Sequence, residues 1–287
     1  MEYLVFPFHL LYAVALLVLT SLGLAIVFGM MRVVNFAHGE FLMIGGYALI
    51  LSVEVGVNIW VAMFVVAPLV VGLVGYALER LIIRHLYGRM LDTILATWGV
   101  SLALIGAATM VFGFQQRGVP SPLGSFQLGG YRDSWYSVLV IVVSAVLLGG
   151  TWWLLRRTRA GLLARGTMQN AQMAEALGMN TSRVYAWTFA AGAAVSGVAG
   201  AVLAPLTGAV PTIGTAYVTR AFITVITGGA NALTGTLVAS SIFGTLSEVV
   251  TRWYTPVAGH VALLVAAVVL LRVMPSGITG RFFRRSL

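Results

Sequence analysis

The sequence predicts an all-α, polytopic membrane protein with about eight or nine transmembrane helices. Of its 287 residues, 60% are hydrophobic and 9% are charged, whereas an ordinary soluble domain has about 25% charged residues. Apolar stretches of roughly 20 residues recur along the chain, and a helix of that length crosses the hydrocarbon core of a bilayer. Because lipid-facing backbone must satisfy its hydrogen bonds within its own segment, we expect these stretches to be helices.

A further apolar stretch, 217–227, is too short to cross a bilayer as a helix that rises about 1.5 Å per residue. We expect it to be a half-helix or a re-entrant segment, so that some of the helices are broken. Residues 1–287 therefore form a single predicted transmembrane domain. The full-length stretches are 7–31, 41–57, 58–79, 91–114, 135–155, 184–206, 231–250 and 257–273.

The net charge of +9 comes from 17 basic residues and 8 acidic residues. Nucleic acid is the first partner to consider for such a chain. The arginines, however, lie mostly between the apolar stretches, where the positive-inside rule and anionic lipid headgroups account for them. With nine passes this rule puts the N-terminus outside, the loop 115–134 outside and the C-terminus in the cytoplasm. The three cytoplasmic clusters are Arg80, Arg84 and Arg89; Arg156, Arg157, Arg159, Arg165 and Arg183; and Arg272, Arg281, Arg284 and Arg285.

A polar segment interrupts the apolar pattern at 32–47, which reads RVVNFAHGEFLMIGGY and places Asn35, His38 and Glu40 within six residues. Ionisable side chains at membrane depth are costly and usually mark a functional site. The alternative is a polar cytoplasmic turn, in which Asn35 or His38 caps a helix and Glu40 lies at a helix N-terminus. The spacing leaves both open. An intramembrane enzyme using His38 and Glu40 is less favoured, because HExxH spacing and a neighbouring nucleophile are both missing.

The stretch 156–183 is predicted to be cytoplasmic and to contain a short helix from Met168 to Leu177, capped by Thr167 and ended by a left-handed Gly178. It has more apolar side chains than a solvated loop needs. The sequence favours a protein partner, since methionines suit an adaptable groove contact. The alternative is a helix lying flat on the lipid surface. The apolar residues are Met168, Ala171, Met173, Ala174, Ala176, Leu177 and Met179.

Two further patterns involve small residues. Gly192, Ser196 and Gly200 recur every four residues, which predicts a face where another helix packs closely. The short stretch 217–227 is followed by a glycine-rich break that ends at Asn231. Interrupted hydrophobic segments are a sequence indication of a transport path.

Four blocks of the sequence resemble the LivH-type permeases of the branched-chain amino-acid ABC importer family. The first, 23–48, reads GLAIVFGMMRVVNFAHGEFLMIGGYA. The others are LDTILATWGVSL at 91–102, TMQNAQMAEALGMNTSRVYAWTFAAGAAVSGVAGA at 167–201 and GGANALTGTLVAS at 228–240. Together they span nearly the whole chain, and the first and third are long and specific.

The resemblance implies a permease in a bacterial-type cytoplasmic membrane. Its partners would be a second permease, identical or distinct, two cytoplasmic ATPases and an external solute-binding protein. This chain lacks a GxxxxGK[ST] phosphate loop, so it is predicted to be a non-catalytic subunit without a cofactor, and its partners would use the ATP. A short helix of such permeases docks on the ATPase. The residues expected to couple the two are Met168, Glu175, Ala176, Leu177, Gly178, Met179 and Asn180.

The resemblance points to branched-chain or related amino acids as substrate. The alternative is urea, a short amide or another small organic acid, because LATWGVSL and TMQN also look like permeases of that kind. A passive channel is less favoured, since it would have no use for the cytoplasmic apolar helix and paired NPA motifs are missing. The candidates for the substrate path are Asn35, His38, Glu40, Thr97, Trp98 and Asn231.

Overall fold

The computed structural model describes residues 2–128, 131–229 and 231–283. Arg284 and Arg285 of the predicted C-terminal cluster and Ala230 of the glycine-rich break lie outside the described residues. The helices are α1 Glu2–Met31, α2 His38–Glu54, α3 Ile59–Val61, α4 Ala67–Leu81, α5 Met90–Phe112, α6 Trp135–Arg157, α7 Arg159–Gln169, α8 Ala171–Ala176, α9 Thr181–Thr207, α10 Ile213–Gly228, α11 Ala232–Trp253, α12 Pro256–Val273 and α13 Gly277–Phe283. A π-helical turn, Ala62–Val66, joins α3 to α4, and a short 3-10 helix, Ile83–His85, follows α4.

The all-α membrane prediction is confirmed. Within the described ranges, seven helical segments are long and apolar enough to cross a membrane. α2 has 17 residues and α10 has 16, so each would extend only about 25 Å. The re-entrant stretch predicted at 217–227 lies within α10. Seven long segments and these two short helices match the predicted eight or nine helices.

The predicted loop 115–134 contains a small antiparallel hairpin that the sequence did not indicate. Strand β1, Ser125–Leu128, pairs with β2, Tyr131–Ser134. The ring of Phe126 packs against Trp135, with ring centroids 4.8 Å apart. This contact places the hairpin at the start of α6.

The described residues divide into two compact units. The terminal unit comprises Met1–Ser21, Ser121–Leu148 and Arg220–Leu287. The central unit comprises Leu22–Pro120 and Gly149–Thr219.

The core of the central unit forms around α9, which packs against α2 and α4. Its small side chains let the neighbouring backbones approach closely, as in other membrane helix pairs. Gly200 shows this directly, because a Cβ atom built on it would overlap the carbonyl oxygen of Leu42. The predicted packing face of Gly192, Ser196 and Gly200 is thereby confirmed. The buried apolar residues of this core are Val27, Val33, Phe41, Val71, Ile83, Phe189 and Ala193.

The terminal unit has its own apolar core between α11 and α12. It contains Leu17, Phe243 and Leu263, each at most 7% exposed. At the surface of this unit, His9 of α1 lies 3.0 Å from Asp133 of β2. Each unit therefore buries apolar residues from distant parts of the sequence.

Candidate functional site

The helical path breaks between α1 and α2, in the polar segment that the sequence singled out. α1 ends at Met31, and Arg32 adopts a left-handed conformation with a φ of 52°. Such a φ is uncommon for a residue other than glycine. The chain then runs without regular helix until α2 begins at His38. The left-handed residue therefore redirects the chain into the break, which we call the polar break, residues 32–37.

The polar break lies beside the middle of two other helices. Ser196 Oγ is 3.2 Å from Nδ1 of His38, and it lies 15 residues after the start of α9 at Thr181 and 11 before its end at Thr207. The amide of Phe36 donates a hydrogen bond of 3.2 Å to Oγ1 of Thr97, which lies seven residues after the start of α5 and 15 before its end. The segment thus lies beside the interior of both helices, away from their ends.

The polar side chains at the break are buried. Asn35, His38 and Glu40 are each 2% exposed, and Thr97 is 1% exposed. The backbone amide of Ala37 donates to Oδ1 of Asn35 at 3.1 Å, so Asn35 closes the turn before α2. The alternative prediction that Asn35 or His38 caps this helix is wrong, because the residue before α2 is Ala37 and no side chain among the described residues caps the helix. Its prediction that Glu40 lies at a helix N-terminus is confirmed. The burial of these polar side chains beside the interior of other helices agrees with the prediction of a functional site.

Glu40 faces α5 in the first turn of α2. The hydroxyl of Ser101 hydrogen-bonds to the Glu40 carboxyl. The second carboxyl oxygen, Oε2, is buried and has no hydrogen-bond partner among the described residues. A buried carboxylate without a full set of partners is costly. Glu40 is therefore the polar group at the break whose bonding is least complete.

The structure brings four of the six path candidates together, namely Asn35, His38, Glu40 and Thr97. Trp98 follows Thr97 on α5 but is 55% exposed, so it lies outside this cluster. Asn231 belongs to the terminal unit.

In the terminal unit, Asn231 lies at a second break, between α10 and α11. Its backbone amide donates to Oγ1 of Thr279 at 3.1 Å. The Thr279 hydroxyl donates in turn to the carbonyl of Gly228 at 2.6 Å. One side chain of α13 thus satisfies backbone groups on both sides of the break. Irregular backbone at membrane depth needs such partners.

The segment 156–183, which the sequence predicts to be cytoplasmic, contains two short helices, α7 and α8, instead of the single predicted run from Met168 to Leu177. The cap prediction for Thr167 is wrong, because Thr167 lies inside α7. Asn170 ends α7 and caps α8, since its Oδ1 accepts from the Met173 amide at 2.9 Å. An asparagine side chain competes for backbone donors in this way and interrupts a helix.

The C-terminal end of α8 follows the sequence prediction. Gly178 has a φ of +83°, and the amide of Met179 donates to the carbonyl of Ala174, as in a Schellman ending. Asn180 then caps α9, accepting from the Arg183 amide at 3.0 Å. The side chain of Thr181 hydrogen-bonds to Glu175.

The predicted coupling residues present an exposed apolar surface, which we call the coupling surface: Met168, Met173 and Leu177. Leu177 is 75% exposed, Met173 58% and Met168 37%. Ala176, Glu175 and Gly178 are exposed as well. Met173 lies on α8, which has only six residues, and Leu177 directly follows that helix.

A buried polar pair at the end of α4 was not predicted from the sequence. Glu79 is fully buried, and its Oε1 accepts a hydrogen bond of 2.5 Å from the Tyr87 hydroxyl. Burial raises the pKa of Tyr87, and the Glu79 carboxylate raises it further, so Tyr87 stays protonated. The ring of Tyr87 packs 4.9 Å from that of Tyr185 on α9.

Ser101 and Ser196 were also missed as partners of the polar break. A signal was available for Ser101, which follows Thr97 by four residues and so lies on the same face of α5. For Ser196 the spacing predicted only helix packing. Its contact with His38, 158 positions away, depends on tertiary structure.

These observations define a multi-pass membrane protein whose helices are interrupted by buried polar segments. Residues 6–274 match the family described as branched-chain amino acid transport system, permease component. The chain therefore belongs to this family, and the resemblance seen in its sequence blocks is confirmed. As a permease component it is a non-catalytic membrane subunit of a transport system.

Several curated proteins are similar over most of their length. The high-affinity branched-chain amino acid transport system permease protein LivH of Escherichia coli K12 is 28% identical over 280 residues, covering 92% of this chain and 91% of LivH. BraD of Pseudomonas aeruginosa, of the same description, is 28% identical over 279 residues, with the same coverage of both chains. A probable LivH of Methanocaldococcus jannaschii is 29% identical over 284 residues, covering 92% of this chain and 89% of that protein.

Among solved structures, a chain of PsaBC from Streptococcus pneumoniae in complex with Fab has a similar fold. The TM-score is 0.50 and the sequence identity 14%, with 98% of this chain and 95% of that chain covered. At this identity the likeness concerns the fold alone.

Proposed function

We propose that this chain is the permease subunit of an ATP-binding-cassette importer for branched-chain or related amino acids. The family match and the names of the relatives support the substrate class. The polar break is the observation that carries the proposal. It supplies buried polar groups at membrane depth, where such groups usually mark a substrate path.

The proposed path includes Asn35, His38, Glu40 and Thr97, with Trp98 and Asn231 as further candidates. The first four residues lie in or beside the polar break. They offer amide, imidazole, carboxyl and hydroxyl groups within one otherwise apolar unit. These groups could replace water around a polar solute during its passage.

Uptake of radiolabelled leucine by membrane vesicles that contain the complete transporter tests this path. We expect Asn35→Ala and His38→Ala to lower uptake at unchanged membrane levels. The matched controls are Asn58→Ala, at the cap of α3, and His85→Ala, which is exposed. Full uptake by both break variants would remove the proposed path. Uptake of urea or acetamide in place of leucine would favour the alternative substrate class.

We assign ATPase coupling to the segment from Met168 to Asn180. The exposure of Met173 and Leu177 supports this proposal, because apolar side chains on a polar surface usually contact a partner. The orientation inferred from the arginine clusters puts the segment and the C-terminus in the cytoplasm of a bacterial-type cell.

Leu177→Asp tests the coupling assignment, since a charge at the centre of an apolar contact should weaken docking. We expect the variant to insert normally but to lose the ATPases on purification or to hydrolyse ATP without transport. Gln115→Asp introduces the same charge at an exposed polar position outside this segment and should behave as wild type. Normal recovery of ATPases and normal transport by Leu177→Asp would refute the assignment.

The proposed complex also contains a second permease, identical or distinct, two cytoplasmic ATPases and an external solute-binding protein. Purification of the tagged chain from native membranes, followed by mass spectrometry, would identify these partners and their stoichiometry. The ligand of the co-purified binding protein would name the cargo.

A further inference from the structure

Two carboxyl groups are buried among the acidic side chains that the structure describes, those of Glu40 and Glu79. Two other acidic residues, Glu54 and Asp133, lie beside exposed or half-buried side chains, Arg117 and His9 respectively. Burial of a carboxyl group is expensive, so each of the two needs an explanation.

Glu79 and Glu40 differ in position. Glu79 lies two residues before the end of α4, and the Tyr87 hydroxyl bonds to it. Glu40 lies beside the middle of α5 and α9, at the level of the polar break. The Oε2 atoms of both Glu40 and Glu79 have no hydrogen-bond partner within the described part of the chain, so it is the position of Glu40 that separates the two. Glu40 is thus the buried acid at the central level, and it retains a lone-pair oxygen for a further donor.

An amino acid crosses a membrane as a zwitterion, so its ammonium group needs a counter-charge wherever water is excluded. A carboxylate is the strongest acceptor that a protein offers to an ammonium group, and a charge-assisted bond to it is about twice as strong as a neutral one. Urea and short amides carry no such cation.

We propose that Glu40 is the counter-charge that binds the ammonium group of the substrate during transport. This inference rests on the proposed function, because it requires an amino acid as cargo. The ammonium group would donate to Oε2 and replace the Ser101 hydroxyl on the other carboxyl oxygen. Glu40 would then act as a specificity residue for compounds with an α-ammonium group.

α5 covers the Glu40 carboxyl group on one side. It contacts the polar break through Thr97 and Glu40 through Ser101, while Trp98 and Leu102 on the same helix are 55% and 53% exposed. A movement of this part of α5 away from α2 would expose the Glu40 carboxyl group.

The test uses the complete transporter with its binding protein in proteoliposomes, and leucine as the probe. We expect Glu40→Gln to lower ATP-driven leucine uptake by about tenfold or more, as removal of one member of a buried charge pair does. Assembly and the ATP hydrolysis stimulated by the binding protein should persist. Glu54→Gln, which changes an exposed acid on the same helix, is the control and should transport normally. Uptake by Glu40→Gln at the wild-type rate overturns the proposal.

A second measurement on the unmodified protein avoids any folding defect of the variant. Dicyclohexylcarbodiimide modifies buried carboxyl groups, and mass spectrometry reports the modified fraction of each. During turnover, increasing leucine should protect Glu40, while Glu79 serves as the internal control and should not change. Equal modification of Glu40 with and without leucine overturns the proposal, even if leucine is transported. If the wild-type complex carries no leucine at all, the proposed function itself has failed.

Discussion

The side chain of Ser196 lies 3.2 Å from Nδ1 of His38 and also donates to the carbonyl of Gly192 at 2.9 Å. Ser196 and His38 are both buried. Their contact joins the start of α2 to the middle of α9. It therefore fixes the end of the polar break against α9.

We expect Ser196→Ala to lower leucine uptake several-fold, because His38 loses a partner whose hydrogen bond contributes about 1 kcal/mol. The double variant Ser196→Ala, His38→Ala should be no worse than His38→Ala alone, as for residues that act through one contact. Ser241→Ala, which removes an exposed hydroxyl bonded only to its own helix, is the control. Additive losses in the double variant would contradict this coupling.

Gly200→Ala should prevent stable folding of the central unit. Its Cβ would overlap the Leu42 carbonyl oxygen, and backbone atoms of two packed helices have little room to move. Gly46→Ala is the matched control, because its nearest neighbours would be 3.5 Å away, an ordinary contact. Thermal unfolding of the purified proteins in detergent measures the difference. Equal stability of the two variants would show that α2 and α9 are not packed as described.

Much of the fold follows from composition and hydrophobic length. The predicted spans at 135–155 and 184–206 correspond closely to α6 and α9. This agreement has a physical cause, since a bilayer imposes both helix and length on an apolar stretch. The same comparison of length with bilayer thickness indicated that the stretch 217–227 is too short to be a full span.

The depth of the polar break could not be derived in this way. Its residues suited a cytoplasmic turn equally well, and the contacts that settle its level, with Thr97 and Ser196, join distant parts of the chain. The division of the segment 156–183 into two helices at Asn170 was missed for a different reason. There, a side-chain hydrogen bond to the Met173 amide outweighed the helical preference of the flanking residues.

Tyr87→Phe should destabilise the C-terminal end of α4. The substitution leaves Glu79 buried without the hydroxyl that donates to it, at a cost of about 1–3 kcal/mol. Tyr185→Phe is the matched control, since it keeps the ring that packs on Tyr87. Thermal unfolding of the purified variants provides the comparison.

The same pair predicts an alkaline limit to stability. Because the pKa of Tyr87 is raised in the folded protein, the stabilisation is complete below the ordinary tyrosine pKa of about 10. It declines as the pH rises above that value, where the unfolded chain ionises first. Unfolding followed between neutral and strongly alkaline pH should show a smaller loss for Tyr87→Phe. An identical pH dependence in both proteins would contradict this role of Tyr87.

The final prediction concerns the second break, where Thr279 of α13 bonds to the Gly228 carbonyl and to the Asn231 amide. Thr279→Val preserves the shape of the side chain but removes both bonds. Gly228 is buried, so its carbonyl would be left unsatisfied at a cost of about 1–3 kcal/mol. Thr109→Val removes a hydroxyl bonded only to its own helix and serves as the control. We expect Thr279→Val to unfold at a lower temperature and to make the 228–231 region more accessible to proteases. If it behaves like the control, α13 does not hold the break, and the backbone there must be stabilised by other contacts.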